Sequence, residues 1–490
     1  NRINDAVSRV LRAKFELGLF EQPYVSLVEA EKWTDNESQK DLARLAAFES
    51  IVLLKNEKSV LPFRKSIRRI AVIGEDAAEA RLGGYSGPGN QKISILDGLR
   101  HRAGDSIQIT YEPGCGRATR ESDVRAPAYL SSTFNGKTTA GLTAEYFNNI
   151  SLAGRPVIER VDPTINFSWT LSAPGKGISH DFYSARWTGK LKAPKTGVFN
   201  IGLSGNDGFR LYLDGRLVID NWRKQSYHTM LAPFQFAKNR TYDIRVEFFE
   251  PDGNAHIKLL WNVDAADDWN AKINRAVAIA QRADVAVIVA GITEGEFQDR
   301  AMLSLPGHQE DLILRVAATN KPVVIILVGG SAITMSRWLD SVDGVMDVWY
   351  PGEEGGRAVA HTLFGDYNPA GRLPITFPVS EAQLPLVYDH KPTGRGDDYN
   401  NLSGLPLFPF GFGLSYTHFT YSNMNIEKTN IGANDTTVVT CNIKNDGPVE
   451  GDEVVQLYIR DLYASVARPV MELKGFQRIH LLPGEEKKIT

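Results

Sequence analysis

The spacing of apolar residues along the chain changes period several times, and each change marks a new element type. Over residues 1 to about 20, "NRINDAVSRVLRAKFELGLF" places Ile3, Val7, Val10, Leu11, Phe15 and Leu17 on one helical face, and "GLF" ends the helix. That face has no partner nearby in the sequence, so the helix is expected to close a domain lying upstream. From about 40 to 125 helices alternate with apolar runs: a helix in "DLARLAAFES", a strand at Ile51–Leu54, then "RRIAVIG" and "IQITYEPG". Buried strands between helices predict a parallel or mixed α/β sheet. From about 138 to 263 the period shortens to two. "GLTAEYFNN", "ARWTGKLKAP", "FRLYLDGRLVIDNW" and "YDIRVEFFE" alternate between turn signals such as "KTG", "NDG" and "PDG". This is an all-β sandwich or barrel.

After about 266 the α/β texture returns. "DDWNAKINRAVAIAQRA" is helical, "DVAVIVAG" and "KPVVIILVGG" are buried strands, and "EDLILRVAATN" is the crossover helix between them. The β module is therefore inserted within an α/β unit. Residues 379–405 have turn composition and read as a linker. From about 415 "TTVVTCNIKN" and "DEVVQLYIRD" alternate again, predicting a second β-sandwich.

Composition narrows the function classes. The 490 residues exceed one compact core, so about two to four domains are expected. Net charge is -3, with no basic run, and nothing points to a nucleic-acid partner. The longest apolar runs are too short to cross a bilayer, so no membrane partner is expected. Cys115 and Cys441 lie far apart and form no metal spacing; the nine His show no HExxH. No GxSxG is present, which argues against an α/β-hydrolase.

The chemistry is expected where "VIVAGITEGEFQDR" (Val287–Arg300) runs from strand into loop. Ligands of doubly wound sheets meet loops at the carboxyl ends of strands. Glu294, Glu296, Asp299 and Arg300 follow such an end, although Asp299 and Arg300 also fit a simple loop brace. "GGYSGPG" (Gly83–Gly89) lacks phosphate-loop spacing and reads as a tight loop lining a cleft. Glu353 and Glu354 precede a helix start, where N-terminal capping is expected. Trp187, Tyr212 and Trp222 are either sugar-stacking rings or β-module core, and core is favoured.

Taken together, "AVSRVLRAKFELGLFEQPY", "IVLLKNEKSVLPF", "IAVIG", "EGEFQDRAMLSLPGHQEDLI", "VWYPGEEGGRAVAHTLFGDYNPAGRLPITFP" and "PLFPFGFGLSYTHFTYS" resemble glycoside hydrolase family three, in that order. The insert is similar to the domain named after anthrax protective antigen (PA14). The resemblance implies a multidomain α/β plus all-β fold. Residues 1–24 would be the last helix of an upstream (β/α)8 barrel and its linker. An α/β sandwich would occupy 25–135 and 266–378, interrupted by a PA14-like β domain at 136–265. A linker at 379–405 and a fibronectin-type-III-like domain at 406–490 would follow.

The resemblance also implies a function: a retaining, exo-acting β-glucosidase that releases terminal β-D-glucose by a two-carboxylate mechanism. The family pattern Gly-Glu-x-x-Asp-Arg falls on Gly295, Glu296, Asp299 and Arg300, making Glu296 the general acid/base and Glu294 its rival. Phe297 and Arg300 are substrate-binding candidates. The family's nucleophile segment is not found in these residues, so the chain alone is expected to be inactive, with the barrel as its partner in cis. β-Xylosidase or arabinofuranosidase specificity is the alternative within the family, and a non-catalytic carbohydrate-binding protein the alternative outside it. No cofactor or metal is expected; relatives of the insert sometimes bind calcium through adjacent Asp residues, but here the turn reads Asn206-Asp207. The expected partner is an oligosaccharide or aryl β-glycoside, and the expected setting is bacterial, secreted or periplasmic.

Overall fold

The computed structural model describes residues 1–490 except 35, 118–128, 171, 264–268, 296–298 and 394–397. It opens with three helices, α1 (Arg2–Glu16), α2 (Leu27–Trp33) and α3 (Glu37–Ser50). The Asn1 side chain accepts the Ile3 N–H and caps α1, as short polar residues do at helix starts. The apolar stripe of α1 forms, yet no residue of this helix is buried. Ile3, Val10 and Phe15 stand open on it.

The α/β unit is built on a six-stranded sheet. Its strands are β1 (Val52–Asn56), β2 (Arg69–Ile73), β3 (Gln108–Glu112), β4 (Val285–Gly291), β5 (Val323–Val328) and β6 (Gly344–Asp347). They lie in the order β1-β6-β5-β4-β2-β3, parallel throughout except for β1, which runs antiparallel to β6. β1 starts one residue later than the pattern predicts because Ile51 is spent as the C-cap of α3.

Both central strands are buried along their whole length, which explains their unbroken apolar sequences. Alternate residues serve opposite faces. Ala286, Ile288 and Ala290 of β4 pack with α6 (Trp269–Gln281) and α7 (Gln309–Ala317). Val285, Val287 and Val289 pack with α3, α4 (Glu75–Ala78), α5 (Ile95–Ala103) and α8 (Gly355–Phe364). Each such buried Val or Ile side chain stabilises the fold by roughly 1.5–3 kcal/mol.

Between β3 and α6 the chain forms an eight-stranded and a four-stranded antiparallel sheet around a separate core. The longest ladder pairs Tyr183–Lys192 with Thr241–Glu250 in unbroken register. Asp162 organises this interior: its buried carboxylate accepts from Tyr146 Oη (2.5 Å), Trp187 Nε1 (2.8 Å) and Arg160 Nε (2.7 Å). Residues 379–405 are not a bare tether. Ser380 and Gln383 form a capping box, and Gln383 Nε2 donates to the carbonyls of Ser403 and Leu405.

The C-terminal residues form the expected fibronectin-type-III-like β-sandwich. Phe419–Ile426, Val439–Asn445 and Glu486–Ile489 make one sheet, and Gly451–Ile459 pairs with Glu472–Leu481 in the other. It is fastened to the α/β unit by a largely buried ion pair, Arg372–Glu453 (2.7 Å). The Leu414 N–H donating to the Leu53 carbonyl (2.8 Å) adds a second tie.

One buried pair in the β module sets a pH dependence. Glu250 is fully buried, neither of its oxygens meets a donor among the described residues, and the Asp207 carboxyl is the neighbour that acts on it most strongly. The pair is satisfied when Glu250 keeps a proton and donates it to Asp207. Burial, then Asp207, raise the Glu250 pKa far above the carboxylate range. In the unfolded chain this proton leaves near the ordinary value of 4.5, so folding becomes less favourable as pH rises above it. Glu250→Gln keeps the donor and removes the titration. Thermal melts at pH 5 and pH 9 are expected to show the variant gaining on the wild type with rising pH; parallel curves would refute the shared proton.

Candidate active site

Strand order decides where a ligand can sit. From β2 the chain moves outward to β3, whereas β4 lies on the other side of β2 and leads on to β5 and β6. The loops after β2 and β4 therefore diverge, and a crevice opens between them at the strands' carboxyl ends. A cleft of about 670 Å³ occupies this place. Its walls are the loop after β2, including Arg81, Gly83 and Gly84, the β4 loop at Thr293 and Glu294, and Tyr350 beyond β6. Ser168, Thr170 and Ser172 of the inserted module complete it.

Glu294 is the most heavily bonded acid of the cleft. Its Oε2 accepts from Gly330 N (2.6 Å) and Tyr350 Oη (3.3 Å), and its Oε1 from Ser331 Oγ. Arg300 Nη2 stands 3.8 Å from Oε1. Donors thus engage both oxygens, and they come from the turns after β5 and β6. Close approach here requires glycine. A Cβ on Gly330 would lie 2.9 Å from Glu294 Oε2, and one on Gly84 would lie 2.7 Å from the Glu294 carbonyl oxygen.

Arg117 braces the floor. It donates to the carbonyls of Ile292 and Val328 at the ends of β4 and β5, and its Nε meets Asp76 Oδ2 at 2.5 Å. Arg81 takes the other Asp76 oxygen. Burial and the neighbouring Arg81 lower the Arg117 pKa, while Asp76 opposes them. Beyond β6, burial and then Glu294 push the Tyr350 hydroxyl up to about 12, so it remains a donor. Asp347, the last residue of β6, is 3% exposed and accepts the Trp349 N–H at 3.1 Å. Burial pushes its carboxyl up to about 8.

Two of the expected site residues, Glu296 and Phe297, lie outside the described residues. Of the others, Glu294 is clamped as above. Arg300 donates through Nη2 to Ser331 Oγ (2.8 Å) and to the Ala332 carbonyl (3.2 Å), while its buried Nη1 has no partner among the described residues. Asp299 is exposed. The capping role expected for Glu354 does not form: its side chain makes no cap hydrogen bond and instead pairs with Arg357 (3.3 Å) and Arg44 (3.7 Å). Glu353 holds the glycine-rich loop by accepting the Asn90 N–H at 2.5 Å. Trp187 is core, whereas Tyr212 and Trp222 are covered by Arg245 and Arg210 at 3.8 and 4.6 Å. Among the described residues no group of three or more His, Cys, Asp or Glu is arranged to hold a metal.

The sequence reading missed Tyr350, Ser331, Arg117 and Asp347. For Asp347 a signal was present: an acid inside the otherwise apolar "VMDVW".

Residues 51–416 match the glycosyl hydrolase family 3 C-terminal domain, and residues 453–490 a fibronectin type III-like domain. A β-glucosidase of Rhizobium radiobacter is 34% identical over 93% of this chain and 58% of its own length. A xylan 1,4-β-xylosidase of Xylanibacter ruminicola is 31% identical over 99% of this chain and 57% of its own. The crystal structure of the Kluyveromyces marxianus β-glucosidase in complex with glucose superimposes with TM-score 0.69 and 26% identity, over 93% of this chain and 57% of that one. The β-glucosidase of Erythrobacter marinus superimposes at 0.65 with 29% identity, over 99% and 49%. The chain thus spans between about half and three fifths of the length of these relatives.

The floor makes a direct prediction. Arg117→Met would take the side-chain donor from the Ile292 carbonyl, take the second donor from the Val328 carbonyl, which keeps the Ile292 N–H, and remove one of the two cations on buried Asp76. The expected loss is about 3 kcal/mol or more in chemical denaturation of this chain. A loss under about 1 kcal/mol would mean that the Arg117 contacts do not brace the loop ends.

Proposed function

Because the chain belongs to glycosyl hydrolase family 3, we propose that it carries the acid/base half of a retaining, exo-acting β-glucosidase, with Glu296 as the general acid/base. The observation that carries this reading is how the segment around Glu296 is anchored. Glu294 on one side and Arg300 on the other bond to the same turn, Gly330–Ala332, at the rim of the cleft. Glu296 is the acid between these anchors in sequence. Glu294, already holding three hydrogen-bond donors, is a positioning residue, because donating a proton would break its clamp.

Retention requires two carboxyl groups about 5–5.5 Å apart, one nucleophilic and one that first donates and then removes a proton. The nucleophile is proposed to be an aspartate on a (β/α)8 barrel in the whole protein, consistent with relatives of nearly twice this length. Glu296 protonates the departing glycosidic oxygen, then deprotonates the water that releases the sugar. Phe297 would line the wall beside it, and Arg300, whose buried Nη1 has no partner among the described residues, is the proposed substrate-binding cation. The inserted β module is proposed to be PA14-like, placing Ser168, Thr170 and Ser172 on the leaving-group side. Substrates would be aryl β-glycosides and short oligosaccharides. A secreted or periplasmic setting is proposed because a Salmonella typhimurium relative, 29% identical, is a periplasmic β-glucosidase.

β-Xylosidase specificity is the second reading, favoured by the Xylanibacter relative. Relative kcat/KM for p-nitrophenyl β-D-glucoside and β-D-xyloside, measured on the full-length protein, decides between them. In the same protein Glu296→Ala is expected to lower kcat by roughly 10²–10⁴. Azide should restore turnover of an activated aryl glycoside. Unchanged turnover would remove Glu296 from the mechanism, and silence of the wild type on every β-glycoside would leave the carbohydrate-binding alternative.

A further inference from the structure

The acid at the end of β6 has no role in the proton transfers, yet it sits one hydrogen bond from the clamp. Its strand neighbours are Val52 of β1 and Leu327 of β5, both fully buried and apolar. An acid in such a pocket needs a structural reason. The reason lies two residues on. Trp349 has φ +53, a left-handed backbone that bulky residues rarely adopt. The Asp347 carboxyl accepts the Trp349 N–H, and the indole of Trp349 donates to the Ser50 carbonyl at 3.1 Å. The Trp349 carbonyl in turn accepts the Gly329 N–H at 3.1 Å. Gly330 and Tyr350, the next residues on each strand of this exchange, are two of the donors that hold Glu294.

We propose that Asp347 is a positioning residue: its carboxyl fastens the strained Trp349–Tyr350 turn and thereby holds Tyr350 and Gly329–Ser331 in the geometry that clamps Glu294. The proposal rests on the reading that the segment after Glu294 carries the acid/base. Asp347 performs this role as a neutral acid. Among the described residues, Glu294 of the β4 loop disfavours a second charge on it. When Asp347 ionises, an uncompensated charge appears in an apolar pocket and repels Glu294; the Trp349 N–H favours the charged form but does not offset the burial, and the turn that carries Tyr350 loosens. Burial places that event near pH 8, above the ordinary range of an aspartate.

Two variants separate the hydrogen bond from the titration. Asp347→Asn keeps an acceptor for the Trp349 N–H and cannot ionise; Asp347→Leu fills the same space without an acceptor. In this 490-residue chain, amide hydrogen exchange at Gly329 and Gly330 is expected to stay slow in Asp347→Asn and to accelerate roughly tenfold or more in Asp347→Leu. In the full-length enzyme the wild-type alkaline descent of kcat/KM should gain a second ionisation near pH 8, absent from Asp347→Asn. Asp347→Leu should lose roughly tenfold in kcat with a smaller change in KM.

Unchanged exchange in Asp347→Leu, or a second ionisation that persists in Asp347→Asn, overturns the proposal. Should Asp347→Leu fail to fold, the Asp347→Asn profile decides alone. The exchange result does not depend on turnover. An active Glu296→Ala enzyme would therefore sink the acid/base reading while leaving the hold of Asp347 on Gly329 and Gly330 to be judged separately.

Discussion

A single carboxylate, that of Glu294, holds together the loops that follow three parallel strands. It enters from β4, takes its donors from the turn after β5 and from Tyr350 beyond β6, and draws in Arg300 from its own loop. Loops at the carboxyl edge of a sheet are ordinarily its most mobile parts. Here three are tied to one group, and the glycine loop after β2 leans on the same backbone, with space at Gly84 for a hydrogen and no more.

The platform beneath this clamp follows from ordinary sheet physics. β4 and β5 are apolar on both faces because helices cover both, and Arg117 donates to the carbonyls of Ile292 and Val328 at their ends. The inserted module adds something the sheet cannot supply, a polar roof. Ser168, Thr170 and Ser172 face the cleft, while the aromatic residues interleaved with them, Phe167 and Trp169, stack on one another 4.6 Å apart and join the module's own core. Alternation thus divides one short stretch into a hydroxyl-bearing rim and an aromatic anchor.

Much of this was legible in the sequence. Continuous apolar runs between helical periods, interrupted by a long stretch of period two, specify an α/β sheet with a β insertion, and the order of motifs pointed to the family. The acid-bearing loop was legible because strand ends in parallel sheets are where ligands meet loops. The clamp was not, because Gly330, Ser331 and Tyr350 come from later strands, and only the sheet order brings them to Glu294. The capping expectation for Glu354 failed for a related reason. Local sequence places it at a helix start, but Arg44 of α3, over three hundred residues away, offers a stronger partner than the helix amides.

The carboxyl groups of this edge also show how one chemical group is given different tasks by its surroundings. Glu294 meets donors at both oxygens and serves as an acceptor. Asp347, the last residue of β6, meets one backbone N–H in an apolar pocket and holds its proton past neutrality. A general acid for glycoside cleavage needs an intermediate environment: dry enough to retain a proton at the start, yet open enough to release it to the leaving group. Neither described acid has that environment: Glu294 is committed as an acceptor to the turns after β5 and β6, and Asp347 is shut away from the cleft. The edge therefore separates roles among its acids, and the proton transfer proposed for the loop falls to neither of these two.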